Sequence, residues 1–166
     1  IDNWFIKEEK INSMSISGRV TIACNFFHML AVFRETDLLQ ETVGSIEELK
    51  VINKEGITRW LAKALIKMPL SLTNRELFIY GYGVFLKKEN MVMIPIYSPN
   101  EEELSKYYQE KPNQDLVRID MKFGYYLVRY LDEDHCEFFS CFNIDPKISY
   151  IPWFILNNCI KEFGYY

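Results

Sequence analysis

The stretch Lys67–Tyr82 forms a polar corner between two segments that predict β-strands, and this arrangement constrains the fold more than any other sequence feature. In Trp60–Met68, apolar residues recur at every second position, which is the side-chain period of a strand. Pro69 ends this first segment because a proline nitrogen cannot donate a hydrogen bond to a neighbouring strand. The second segment, Glu76–Leu86, is almost entirely apolar or aromatic and also predicts a strand. We therefore expect the corner to join two strands of one antiparallel sheet.

Most of the remaining chain also predicts strands, because short apolar runs alternate with turn-forming residues. Further strands are predicted at Trp4–Lys10, Ile11–Ile22, Ile46–Asn53, Ile57–Met68, Met91–Tyr97, Leu116–Met121, Tyr125–Leu131 and Cys136–Ile144. Helices are predicted at Cys24–Glu35, Thr36–Thr42, Glu101–Tyr108 and Trp153–Phe163. Asn25 is a suitable N-cap for the first helix, and Pro152 suits the first turn of the last. For Thr58–Lys67 a helix remains the competing interpretation, since periodicity alone does not separate short helices from strands.

The composition indicates a folded domain with a large apolar interior. The chain has 166 residues, of which 49% are hydrophobic and 16% aromatic, so one domain is expected and general disorder is excluded. The aromatic share predicts either a thick core or a lined cavity. The net charge of -4 argues against a nucleic-acid-binding protein and against polybasic attachment to anionic membranes.

The cysteine pattern bears on the compartment in which the protein works. The four cysteines, Cys24, Cys136, Cys141 and Cys159, lie among apolar residues and show no C-x-x-C spacing. This pattern is typical of buried free thiols in a reducing environment. No apolar run reaches the length of a membrane span. We therefore expect an intracellular protein, in the cytoplasm or another reducing compartment, that is peripheral to membranes.

The residues that usually carry catalysis or metal binding are sparse. The two histidines, His28 and His135, have no second ligand at metal-binding spacing, so a zinc site is not expected. The acidic run Asp132–Asp134 could hold a cation, but consecutive carboxylates of this kind are more typical of a solvated hairpin tip. A nucleophile elbow, a P-loop and a dinucleotide fingerprint are all missing. The sequence therefore predicts a protein that is not an enzyme and that has no metal or other cofactor.

Two motifs resemble the START lipid-transfer family. The sequence MPLSLTNRE at Met68–Glu76 is similar to the P-x-P-L-x-x-R-D corner of START domains, with Arg75 and Glu76 at the R-D positions. The segments VRIDMKFGYYLVRYL, CEFFSCFNIDP and IPWFILN follow one another as the last two strands and the closing helix of that family do. The resemblance implies an α+β fold of the helix-grip type: a curved antiparallel sheet, a long C-terminal helix packed across it, and short helices after the early strands. We expect residues 1–166 to form a single START-like domain that is incomplete at both ends.

A START-like fold implies a lipid ligand held in a cavity between sheet and helix, with transient membrane contact. Removing an acyl chain from water stabilises such a complex by about 0.8 kcal/mol per methylene, without any catalytic group. Polar and aromatic side chains would orient the ligand. The candidates by position are Tyr80, Tyr82, Arg118, Tyr126, Trp153 and Asn158. Trp153 belongs to the last predicted helix, which is the expected lid.

The sequence departs from sterol-carrying START domains at a charged pair. Those domains place an arginine six residues beyond the R-D arginine and pair it with an acid, and the corresponding positions here are Gly81 and Leu61–Ala62. The absence of both charges favours a phospholipid or another apolar ligand over a sterol. Two alternatives remain open. One is a structural subunit that binds protein partners in a larger assembly, with its cavity filled by its own aromatic residues. The other is an enzyme of the related helix-grip cyclase type.

Overall fold

The computed structural model describes residues 2–7, 13–35, 38, 40–41, 44–56, 58–68, 72–109 and 113–147, and these residues form mainly β-strands. The strands are β1 (Asp2–Lys7), β2 (Met14–Ile22), β3 (Ile46–Glu55), β4 (Arg59–Ile66), β5 (Arg75–Tyr82), β6 (Val84–Leu86), β7 (Met91–Tyr97), β8 (Val117–Tyr130) and β9 (Cys136–Asp145). Helix α1 spans Phe26–Arg34, helix α2 spans Glu101–Ser105, and Lys87–Glu89 forms a 3-10 turn. The predicted last helix, Trp153–Phe163, lies outside the described residues, as does part of the predicted helix Thr36–Thr42.

The strands form one sheet in the order β1-β2-β9-β8-β7-β5-β4-β3, and β6 pairs with β7. All neighbours in this order are antiparallel. Strand β8 has 14 residues and β7 only seven, so β8 continues past the end of β7. There it pairs in parallel with β5, at Arg75–Leu77. The sheet therefore branches at this end, with β7 inserted between β5 and β8.

Strand β8 differs from the sequence prediction, which divided it into Leu116–Met121 and Tyr125–Leu131. The structure has a single strand with a bulge, because the register against β9 shifts between Met121 and Phe123. The extra residue reverses the alternation, so odd-numbered residues before the bulge and even-numbered residues after it face the same side. A sequence pattern that changes phase in this way is easily interpreted as two strands.

The corner and its neighbours also refine the prediction. Strand β4 confirms the strand interpretation of Thr58–Lys67 over the helical one. The predicted single strand Glu76–Leu86 is divided into β5 and β6. The division falls at Gly83, whose backbone N–H donates to the Thr58 carbonyl at 3.1 Å, and β5 and β6 pair with β7 in one continuous register. Helix α2 ends at Ser105, before the predicted end at Tyr108.

The two faces of the sheet carry different cores. We call the face that packs against α1 the inner face, and the opposite face, which packs against α2, the outer face. The inner core is the larger and includes Phe26 and Phe33 from α1. The outer core consists of Leu61, Phe78 and Leu104, and Leu104 comes from α2. Side-chain alternation along each strand therefore decides on which face a residue lies.

Helix α1 begins at the predicted cap. The Asn25 side-chain oxygen accepts a hydrogen bond from the Phe27 backbone N–H at 2.9 Å. Its side-chain nitrogen donates to the Glu133 carbonyl at 3.0 Å, in the turn between β8 and β9. One side chain therefore both caps the helix and ties it to the sheet.

Replacing Asn25 with alanine should lower the free energy of unfolding by about 1 kcal/mol, the usual contribution of an N-cap. Urea denaturation followed by circular dichroism would measure the change. Asn25→Ser is the control, because serine restores the cap but does not reach Glu133. Equal losses in the two variants would show that the cap itself contributes little.

Candidate ligand-binding site

The inner face of the sheet is apolar, and many of its side chains remain partly accessible. Its buried centre on the strands consists of Ala64, Leu77, Ile94, Ile96, Ile119, Met121, Val128 and Cys136. Around this centre lie apolar side chains that keep part of their surface accessible: Trp60, Ile66, Ile79, Val92, Tyr126, Phe138, Phe142 and Ile144. Sites for hydrophobic ligands have linings of this kind.

Helix α1 covers one end of the inner face. The Phe33 ring centroid lies 4.7 Å from that of Tyr126 and 5.9 Å from that of Phe138. The Phe26 ring packs edge-on against Tyr130, with centroids 6.1 Å apart. These contacts place α1 over β8 and β9, near the turn that joins the two strands.

Two glycines allow aromatic rings to lie directly on the backbone of the inner face. A Cβ atom added at Gly124 would stand 2.8 Å from the Phe142 ring, and one added at Gly81 would stand 2.9 Å from the Trp60 ring. Both distances are shorter than van der Waals contact, so each ring occupies the space that a side chain would need. Gly81 is the position at which the START resemblance expects the sterol arginine, and here the Trp60 indole covers it.

Tyr126 lies at the aromatic centre of the inner face. Its ring contacts those of Phe33, Phe138 and Phe142, at centroid distances of 4.7, 5.7 and 5.0 Å. Burial raises the pKa of its hydroxyl to about 12. The residue nevertheless keeps part of its surface accessible.

Arg75 is a charged residue on the inner face, and it forms hydrogen bonds with backbone carbonyls. It is the one charged residue on this face of β4, β5, β7, β8 and β9. Its Nε donates to the Pro146 carbonyl at 3.0 Å, and its Nη1 donates to the Thr73 carbonyl. No carboxylate among the described residues forms an ion pair with it. Burial lowers its pKa, and only 4% of the residue is exposed. Arg75 therefore ties the corner to the end of β9.

The structure separates the six side chains that the sequence suggested for ligand binding. Tyr126 lies on the inner face, while Tyr80, Tyr82 and Arg118 lie on the outer face. Trp153 and Asn158 lie outside the described residues, and their role stays a prediction. The sequence shows which residues alternate along a strand but not which set faces inward, and this explains the placement of the two β5 tyrosines. Arg118 precedes the β8 bulge and Tyr126 follows it, so two even-numbered residues face opposite sides.

The outer face carries a compact charge cluster that was not predicted from the sequence. The buried Glu76 carboxylate lies 2.7 Å from Lys63 Nζ and 3.2 Å from Arg118 Nη2. Arg118 also contacts Glu101 of α2 at 3.0 Å, and Lys63 donates to the Tyr108 hydroxyl at 3.0 Å. The cluster therefore joins β4, β5 and β8 to the segment that contains α2.

The electrostatics of the cluster favour its charged state. Burial lowers the pKa of Lys63, but the hydrogen bonds with Glu76 and Tyr108 outweigh this effect and raise it overall. The Arg118 guanidinium lies over the Phe78 ring, 4.6 Å from the centroid, which adds a cation–π contact. A charge within an otherwise apolar strand, such as Glu76 in RELFIYGY, was the available sequence signal.

The remaining titratable groups do not assemble into a metal site. Among the described residues, no cluster of histidine, cysteine and carboxylate side chains could hold a metal ion. In the acidic turn, Asp132 accepts a hydrogen bond from the Asp134 backbone N–H at 3.0 Å and lies 2.9 Å from His135 Nδ1. The hydrogen bond with His135 lowers the pKa of Asp132. The three described cysteines are free thiols. No helix in the described part of the chain is both long and apolar enough to span a bilayer.

Comparisons with known proteins identify similar structures but no related sequence. No family model and no curated protein sequence matches the chain. Human STARD10 superposes with a TM-score of 0.73 at 17% identity, over 91% of this chain and 58% of that one. A STAR-related lipid transfer protein from Xanthomonas axonopodis superposes with a TM-score of 0.74 at 13% identity, over 98% and 86%. The chain has the START-domain fold. The predicted fold class is therefore confirmed for the curved sheet.

The START fold also occurs in an enzyme. The Zhui aromatase/cyclase from Streptomyces superposes with a TM-score of 0.50 at 8% identity, over 80% of this chain and 67% of that one. Structures similar to this chain therefore include both a lipid transfer protein and an aromatase/cyclase. The chain spans 58% of the length of STARD10.

Proposed function

We propose that this chain binds a lipid against the inner face of its sheet and carries it between membranes, through transient contact with them. The observation that carries the proposal is the set of partly accessible apolar side chains around the buried centre of that face. Each methylene that moves from water to this surface stabilises the complex by about 0.8 kcal/mol. The START fold, shared with a lipid transfer protein of Xanthomonas axonopodis, supports the same function.

Binding without catalysis agrees with the chemistry of the inner face. Arg75 donates to two backbone carbonyls, and no carboxylate or histidine from β4, β5, β7, β8 or β9 joins it there. A cyclase would need convergent acid and base groups within hydrogen-bond reach of its substrate. We therefore propose a carrier and not an enzyme.

A filled cavity is the second candidate, and a specific packing observation favours it. Phe33 of α1 and the ring of Phe138 enclose Tyr126 at centroid distances below 6 Å. If similar contacts fill the whole inner face, the chain would be a structural subunit that binds protein partners in a larger assembly.

Native mass spectrometry followed by lipid extraction would separate the two candidates. A carrier should retain a noncovalent adduct of lipid mass that disappears under denaturing conditions. Ile79→Trp should abolish the adduct by filling the inner face. Tyr80→Trp introduces tryptophan at the next position, which lies on the outer face, and should leave the adduct in place. A chain that stays free of lipid after incubation with mixed liposomes would support the filled subunit.

A further inference from the structure

Among the described strand residues, two hydroxyl groups lie near the middle of the inner face. Tyr126 of β8 and Ser140 of β9 are directly opposite each other in the antiparallel register. Both residues keep part of their surface accessible. The structure records no hydrogen bond between either side-chain hydroxyl and another described residue. Tyr130, the next tyrosine on this face, lies at the exposed end of the strand.

The Tyr126 hydroxyl is positioned as a donor for a ligand. Three aromatic rings hold its own ring in place, so the position of the hydroxyl oxygen is restricted. A hydroxyl withdrawn from water loses free energy unless it finds a hydrogen-bond partner. An acceptor oxygen on a bound lipid would supply that partner.

The described strands present no accessible cation on the same face that could neutralise an ionised head group. Arg75 is 4% exposed, and its recorded hydrogen bonds go to the Thr73 and Pro146 carbonyls. Lys63 and Arg118, which could pair with a phosphate or carboxylate, are bound to Glu76 on the outer face. Transferring an unpaired carboxylate or phosphate to an apolar site is strongly unfavourable.

We propose that the ligand is an uncharged long-chain lipid with an alcohol, ketone or ester oxygen that accepts a hydrogen bond from Tyr126. This inference rests on the proposed lipid-binding function and narrows its ligand class. It disfavours the phospholipid option, because the described strands present no accessible cation to a phosphate on the inner face. Tyr126 is then the residue that selects for an acceptor oxygen at one position along the chain of the lipid.

The test compares three probes of equal chain length: oleyl alcohol, oleate in mildly alkaline buffer, and octadecene, which has no oxygen. Equilibrium binding to the purified chain should favour oleyl alcohol over oleate by about tenfold or more. Tyr126→Phe should weaken the binding of oleyl alcohol about tenfold and leave that of octadecene unchanged. Tyr125→Phe is the matched control, because it removes the neighbouring hydroxyl from the outer face. It should change neither the binding of oleyl alcohol nor that of octadecene.

Other results would contradict either the inferred ligand class or the proposed lipid-binding function. Oleate binding as tightly as oleyl alcohol, or oleyl alcohol binding unchanged in Tyr126→Phe, would overturn the inference while leaving lipid binding intact. Binding of none of the three probes would overturn the proposed function itself, and with it the inference.

Discussion

Replacing Glu76 with glutamine should lower the free energy of unfolding by about 3 kcal/mol, the largest single-residue effect that we expect in this chain. The substitution keeps the shape of the side chain and removes its charge. Lys63 and Arg118 would then lie in a partly buried site without their shared carboxylate. The loss is large because the two cations stay desolvated after their partner is neutralised.

The control for this experiment is Glu101→Gln, which removes the exposed partner of the same arginine. The Glu101 side chain is 86% exposed, so its ion pair with Arg118 should contribute less than about 1 kcal/mol. Guanidinium denaturation of both variants would give the two values under identical conditions. Similar losses in the two variants would show that the buried carboxylate does not organise the cluster.

Between about pH 10 and about pH 12, the wild-type chain should lose roughly 2 to 3 kcal/mol more stability than Tyr126→Phe. In the unfolded chain the Tyr126 hydroxyl ionises near its ordinary pKa of about 10, whereas in the folded chain burial raises this value to about 12. The unfolded state therefore binds fewer protons in this window, and stability falls as pH rises. Below about pH 10 the contribution is fully present.

Urea denaturation at a series of alkaline pH values would measure this difference. Tyr130→Phe is the control, because it removes a hydroxyl from a residue that is 40% exposed and leaves Tyr126 intact. Its stability should fall with pH as steeply as that of the wild type. Parallel curves for the wild type and Tyr126→Phe would show that the Tyr126 hydroxyl reaches water freely in the folded chain.

Local patterns in the sequence were sufficient for most of the secondary structure. Alternation predicts β4 as a strand, and the side chain of Asn25 predicts the start of α1. Both signals depend on residues close together in the chain. The change of alternation in β8 led to a wrong prediction of two strands, because a bulge is recognised only when the partner strand is known.

The site was harder to predict than the fold, for a geometrical reason. Tyr80 and Tyr126 are both aromatic residues within apolar strands, and nothing local to either shows which face of the sheet it occupies. That depends on long-range pairing: α1 packs over β8, and α2 packs over β5. The charge cluster has the same origin, since Glu76 meets Arg118 through the parallel pairing of β5 and β8.

The pairing of β2 with β9 has a consequence for synthesis of the protein. Met14 pairs with Ile144, so the hairpin of β1 and β2 joins the sheet only through a strand from the other end of the described chain. While the ribosome is still adding the residues between β2 and β9, the edge of β2 that later pairs with β9 has no partner strand. Contacts between such distant segments slow folding and prolong the exposure of unpaired strand edges. During translation, this nascent chain should therefore depend on chaperones until β9 has emerged.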